Sequence, residues 1–488
     1  MVREKMIWCR WLVLALGALL TPGAVVADEL EAGPIFHEFK LTLAPGHRTE
    51  AAGPFFYFEE KESTRLWALP PLFSHTLNED TDFEEYDFLY PLLGYDRFGE
   101  EYRWQFFQLF SFAGGQTQSG TNDHRFTLFP VYFQQRSLIP ENNYTAVLPF
   151  YGTIRHRLFK DEMHWVMWPG YVRTKKKEVT TWNAPYPFFH IRRGPGLDGW
   201  QFWPLLGNEH KVPTTRTNIW ADVEAVPGHN KFFLVWPFFF NDHNGVGSTN
   251  ETHSQAFIPL YSFTRSPLRD STTFPWPLGF TYTDDREQKY REWDMPWPLI
   301  VFARGEGKTM NRVWPLFSRA HNDTLEKSWY LWPVYHRSHL RSEPLDRTRT
   351  RIFFFLYSDL TEKNTETEAA LHRVDCWPFY TARHDLNGNE RLQILSILEP
   401  IFPNNKSIER NYSPLYSLWR SEKNVETGAT SRSLLWNLYR HDATPETTNA
   451  SLLFGLFKHT TGPEGSRWRI FYMPAGGTKA AAEPEPAK

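Results

Sequence analysis

The stretch Tyr330-Leu331-Trp332-Pro333-Val334-Tyr335-His336-Arg337 decides the fold. Read by parity as an extended chain, one side carries Leu331, Pro333 and Tyr335 and the other Tyr330, Trp332 and Val334. Both sides stay apolar until His336-Arg337, and such a short run rich in aromatic and β-branched residues reads as a strand.

The same frame recurs along the chain. Leu89-Tyr90-Pro91-Leu92, Phe129-Pro130-Val131-Tyr132, Leu148-Pro149-Phe150-Tyr151 and Met167-Trp168-Pro169 are early copies. Trp203-Pro204-Leu205, Trp236-Pro237-Phe238, Ile258-Pro259-Leu260, Trp276-Pro277-Leu278, Trp297-Pro298-Leu299, Trp314-Pro315-Leu316 and Trp377-Pro378-Phe379 follow. Tyr412-Ser413-Pro414-Leu415-Tyr416 is a further copy, and Leu435-Trp436-Asn437 and Leu453-Phe454-Gly455 keep the frame without proline. Neighbouring copies lie mostly about 17 to 23 residues apart, with weaker copies such as Phe106-Phe107 and Phe354-Phe355 in the larger gaps, a repeat of one strand and one turn.

Between the copies the chain is polar, with turn chemistry at Asn387-Gly388, Asn244-Gly245 and Gly114-Gly115. Prolines recur too often for a helical period to continue across them. The pattern predicts an all-β, antiparallel up-and-down meander of roughly 20 to 24 short strands. Connectors this short exclude parallel crossovers. Closure into a large β-barrel is the expected architecture, because each repeat then has an equivalent environment; a β-propeller or β-solenoid is the alternative. Prolines inside strands oppose closure, since each removes a ladder hydrogen bond and a barrel has no edge to hide it on.

Four segments are expected. Residues 1–27 read as a signal peptide: Arg3, Lys5 and Arg10 precede the apolar stretch Trp11 to Leu20, and Val25-Val26-Ala27 supplies small residues before a cleavage after Ala27. Residues 28–50 form an N-terminal extension, 51–474 the aromatic-proline repeat domain, and 475–488 a disordered tail rich in Ala, Pro and Glu. With the leader removed, Cys376 is the one cysteine, so no internal disulfide can staple the domain. No later run reaches the ~18 apolar residues of a membrane helix, so any membrane contact must use strands.

The chain has 488 residues, net charge -3, 22% charged and 17% aromatic residues, a balance that gives no argument for nucleic acid. Lys175-Lys176-Lys177 reads as a solvated turn.

No catalytic, cofactor-binding or metal site is expected. Gly305-Glu306-Gly307-Lys308-Thr309 lacks the earlier glycine of a phosphate loop, with Phe302 in its place, and is followed by a strand pattern rather than a helix. Asp385-Leu386-Asn387-Gly388-Asn389-Glu390 has calcium-like oxygens but reads as a hairpin turn, and the acidic run Glu79 to Glu85 reads as a solvated loop. Cys376 beside Trp377 reads as packing. Arg97, Arg136, Arg173, Arg319, Arg337, Arg420 and Arg440 follow apolar runs, as turn caps or as lipid-phosphate contacts.

The expected function is an outer-membrane β-barrel of a Gram-negative-type bacterium, acting without catalysis as a channel, transport component or structural envelope protein. The alternative is a periplasmic or surface scaffold that binds glycans or proteins. Membrane lipid is the expected partner. If strands cross a bilayer, Met163, Trp165, Met167 and Tyr171 form the longest apolar face available to lipid.

Overall fold

The computed structural model describes residues 35–107, 109–116, 122–217 and 222–479. The leader (1–27) and the last part of the tail (480–488) lie outside the described residues. Forty-three strands join in one antiparallel sheet, and a separate two-stranded hairpin pairs Thr214–Thr217 with Val223–Val226. We number the strands β1 (His37–Lys40) to β45 (Met473–Lys479) in chain order. The meander is as the sequence predicts. It begins inside the stretch read as an extension and runs into the stretch read as a tail, where Met473–Lys479 pairs with β44 (Gly465–Ile470).

The prolines of the repeated Trp-Pro frame lie in turns, not in strands. In Leu331-Trp332-Pro333-Val334 the Val334 N–H donates to the Leu331 carbonyl at 2.7 Å, and the Trp332–Pro333 bond is cis. This is the four-residue turn that holds a cis proline at its third position. The same turn recurs at Pro91, Pro130, Pro237 and Pro315. Each apolar run is therefore the tip of a hairpin with strand on both sides, which is why the strands number twice the expected 20 to 24. Proline's missing N–H costs nothing at a turn position that donates to no ladder. One copy departs further: Ser413–Tyr416 is a helical turn (α2) that follows α1 (Lys406–Asn411).

All Trp-Pro turns sit on one rim of the sheet, and the polar connectors, such as Asn387-Gly388, form the other. Cross-strand register carries no drift. One residue in from the Trp-Pro rim, a single row of opposed residues runs Ser74, Asp87, Gly94, Gln105, Ser111. Much later it still reads Trp329, His336, Arg351, Ser358, Asp375, Thr381.

That row is the most buried in the molecule: Ser74, Ala146, Trp165, Val172, Ala256, Asp294 and Ser358 all belong to it. It marks the inner face. Small side chains such as Ser74, Gly152 and Ala256 share the row with large ones such as Trp165, Trp329 and Arg351. Hydroxyl pairs Thr273–Thr281, Ser271–Thr283 and Ser254–Thr264, each at 3.0 Å, satisfy one another along it. A local core forms where Phe133, Ala146, Ile154, Trp165 and Val172 crowd together. Met163 and Trp165 thus point inward, Met167 is in a turn and Tyr171 starts the next strand, so they form no common lipid face.

The sheet does not close as a barrel. Among the described residues β1 pairs only with β2 (Gly46–Ala51), and β45 only with β44. The two ends of the ribbon meet by their inner faces instead. Asn437, in a rim turn, donates to Glu50 of β2 at 2.6 Å. The Arg440 guanidinium lies 3.5 Å over the Phe39 ring of β1. The insert Ser396 to Ser417, carrying α1 and α2, fills the space between the two faces: Ser407 donates to Glu85, and Asn405 to the Tyr90 hydroxyl. Face packing buries polar networks that edge pairing would have left apart.

Candidate functional site: an apolar rim and an outer aromatic band

Neighbouring Trp-Pro turns are hydrogen-bonded to each other. Leu331 N–H donates to the Leu316 carbonyl at 2.6 Å and Trp332 N–H to the Pro315 carbonyl at 2.8 Å. Trp314 reaches Leu299 at 2.8 Å, and Phe353 reaches Val334 at 2.9 Å. The ladder thus continues into the turns, and these backbone donors are satisfied without water.

The side chains on this rim are exposed and apolar. Met167 and Leu331 are each 60% exposed, Phe379 65% and Trp332 48%. Trp236, Phe238, Trp297, Trp314, Leu316 and Phe354 are exposed as well. On the outer face, the first position in from the rim adds Phe106, Tyr151, Phe202, Phe257 and Phe280, all exposed. The next outer position adds Trp67, Trp104, Trp200, Trp293 and Phe302. A contiguous apolar border of this kind is unusual on a soluble monomer and marks an interaction surface.

The opposite rim is mainly polar, with Phe98, Leu138, Leu158, Phe159 and Leu386 exposed among its charged and amide side chains. Arg65 pairs there with Glu79 at 3.0 Å and Arg97 with Asp82 at 3.0 Å, so the acidic run 79–85 is a hairpin whose charges are engaged. The glycine-rich stretch 305–309 joins β29 (Ile300–Gly305) to β30 (Thr309–Val313) as a hairpin, and Lys308 pairs with Glu292. Asp385 Oδ1 accepts from the N–H groups of Asn387 and Asn389, each at 2.9 Å, closing the turn read from the sequence. No group of three or more His, Cys, Asp or Glu among the described residues is placed to hold a metal.

The recurring arginines sit inside strands rather than capping turns. Arg97, Arg173 and Arg440 are held by Glu84, Glu162 and Asp442. Arg420 is half-buried and pairs with Glu422. Burial opposes the charge on Glu422, but Arg420, Arg391 and Arg440 outweigh it and hold that carboxyl below its ordinary range. A cleft of about 650 Å³ remains there, lined by Phe39, Arg48, Glu50, Arg420, Glu422 and Arg440. Each of its three arginines has an acidic partner: Arg48 pairs with Glu50, Arg420 with Glu422, and Arg440 with Asp442 just outside the cleft.

Tyr57 illustrates what sequence reading missed. It lies on the inner face, donates to the Arg410 carbonyl at 2.9 Å, and stacks under the Arg48 guanidinium at 3.8 Å. Burial pushes its hydroxyl up to about 12. Only the spacing of Tyr57 from its rim turn could have placed it on that face.

No family model matches the chain, and no curated protein matches it.

Proposed function

We propose that this is an exported, non-enzymatic envelope protein that seats its Trp-Pro rim and outer aromatic band in one face of a lipid membrane, as a structural scaffold. The carrying observation is the unbroken run of exposed Trp, Phe, Leu and Met along the Trp-Pro rim, whereas the other rim bears paired charges and only scattered apolar side chains such as Phe98 and Phe159. Trp and Tyr favour the boundary between headgroups and acyl chains, where an apolar body and a polar tip are both accommodated. A rim whose backbone donors are already bonded loses little on leaving water.

Docking from one side is favoured over crossing. The strands of the large sheet have 4 to 8 residues, whereas a membrane-crossing strand needs ~9–11. Crossing barrels also tilt and stagger their strands, and this sheet has no stagger from Ser74 to Asp375 and beyond. The inner face turns polar one residue above the rim, at Asp87, Asp294 and Arg351, which limits the depth to that of an interfacial element. The leader-like residues 1–27 support export, and an outer membrane is the location that suits an exported all-β protein.

The test is flotation of the mature protein with phosphatidylcholine vesicles. The expected result is co-flotation that survives high salt and falls at least tenfold in the variant L331D/W332D. Protein that stays in the soluble fraction with vesicles in excess would refute the reading.

A further inference from the structure

The inner face holds a group of cations with no ion-pair partner among the described residues. Strand β34 (Leu345–Ile352) places Arg347, Arg349 and Arg351 on that face. Arg347 is paired with Glu362 through its Nε at 2.6 Å. Arg349 and Arg351 have no side-chain hydrogen bond or ion pair among the described residues, and the Arg349 Nε is buried without a partner. The register brings a histidine and a lysine beside them. His336 of β33 (Tyr335–Ser342) is directly opposite Arg351. Lys327 of β32 (Leu325–Tyr330) is opposite Ser338, which is in turn opposite Arg349.

The nearest acids on this face are committed elsewhere. Glu362 belongs to Arg347, and Asp375 accepts from Arg373 at 2.9 Å and from the Thr381 hydroxyl at 3.0 Å. Burial lowers the proton affinity of His336, and Arg351, Lys327 and Arg349 lower it further. Burial likewise lowers the proton affinity of Arg349, with Arg351 and Arg347 adding to it and Asp375 opposing. Three cations gathered around a neutral imidazole, none of them ion-paired, destabilise a fold unless an anion joins them.

We propose that Lys327, His336, Arg349 and Arg351, with the Ser338 hydroxyl between two of them, form a binding site for a phosphate group. Guanidinium groups match the oxygen spacing of phosphate in a bidentate way, and lysine adds a point charge. Strands in a ladder stand ~4.8 Å apart, so the span from Lys327 to Arg349 is ~10 Å, the breadth of one phosphate with a ligand group on either side. The site is on the face opposite the outer aromatic band and does not depend on the membrane reading. Its phosphate has two possible sources, a soluble phosphate compound or a lipid headgroup.

The experiment measures the melting temperature of the mature protein against inorganic phosphate and against dihexanoyl phosphatidic acid, with ionic strength held constant by chloride. Both probes should raise the melting temperature of the native chain and leave R349Q/R351Q unmoved. Without ligand that variant should melt no lower than the native chain, since it loses only repulsion. K327Q, at an exposed position, should weaken binding several-fold with the fold intact. A headgroup source predicts that the short-chain lipid binds at least tenfold more tightly than inorganic phosphate; a soluble source predicts equal affinities. No shift with either probe, or an equal shift in R349Q/R351Q, overturns the site.

Discussion

Arg410 donates to Asp87 Oδ2 at 3.0 Å across 323 residues of chain. The same guanidinium reaches Glu85 Oε2 at 2.7 Å, and Asp87 also accepts from Asn411 at 2.9 Å and Ser74 at 3.1 Å. Asp87 is only 2% exposed. Burial works against the Arg410 charge, yet Glu85 and Asp87 raise its proton affinity above the ordinary value. This network, carried on α1, is one of the links between the two faces of an unclosed ribbon.

Removing Arg410 strands two buried carboxylates. Arg410→Ala should destabilise the protein by about 3–5 kcal/mol, the cost of breaking a buried pair by deleting one partner. The double variant with Asp87→Asn should cost less than the sum of the single changes, because the two residues share one interaction. Urea midpoints of the four proteins check this, and additive losses would mean that the ends are held by something else.

A second buried acid is unpaired. Asp294 is 1% exposed, and its Oδ1 has no hydrogen-bond partner. Burial first, and Glu292 second, raise its carboxyl to about 6, against the opposing pull of Lys308 and Arg312. The folded state therefore keeps this proton over a range where the unfolded chain has lost it. Stability from this group is full below about pH 4 and falls as pH rises through about 6, by about 2–3 kcal/mol. Asp294→Asn should remove that fall and be the more stable protein at pH 7. The check is the difference between the two stability curves from pH 4 to 7, and a constant difference would contradict it.

The meander was legible in the sequence because the alternation of aromatic runs and polar connectors survives any error in the boundaries. What misled was the length of the runs. Leu331-Trp332-Pro333-Val334-Tyr335 is as apolar as a buried strand, and a turn made of Trp and Leu carries none of the usual polar turn residues. Proline itself was the available signal, since its lack of a donor argued against a central strand. With the turn assigned, the rim, the strand number and the inner row all follow. The pairing of Asp87 with Arg410 does not, because local pattern carries no information about which distant faces meet. The cation group on β32–β34 was half visible: the alternation Arg347, Arg349, Arg351 marks one face, but only the register adds Lys327 and His336 to it.

Packing on the inner face can be tested at one glycine. A Cβ on Gly152 would stand 2.3 Å from Ala146 Cα and Cβ and 3.1 Å from the Trp165 ring. Those neighbours are backbone and packed core, with Ala146 fully buried and Trp165 2% exposed. Gly152→Ala should therefore cost about 1–3 kcal/mol by overpacking. A urea midpoint equal to that of the native protein would show that the packing has slack at this position.

The docking depth separates a rim that dips into lipid from one that packs against another protein. Strand β37 (Tyr380–His384) has Phe379 at its rim end and Asn387 in the hairpin beyond its other end. In a chain whose own cysteines are replaced by serine, Phe379→Cys and Asn387→Cys carry the same environment-sensitive fluorophore at the two ends. Interfacial elements bury their apolar face ~5–10 Å deep, while the five residues of β37 at ~3.3 Å each separate the ends by more than that. With phosphatidylcholine vesicles the label at 379 should shift to the blue and be quenched by lipid carrying a spin label near the headgroup. The label at 387 should do neither. Quenching at both ends would mean that the sheet lies flat or crosses the bilayer. Quenching at neither, with the blue shift at 379 appearing only on self-association, would assign the Trp-Pro rim to a protein contact instead.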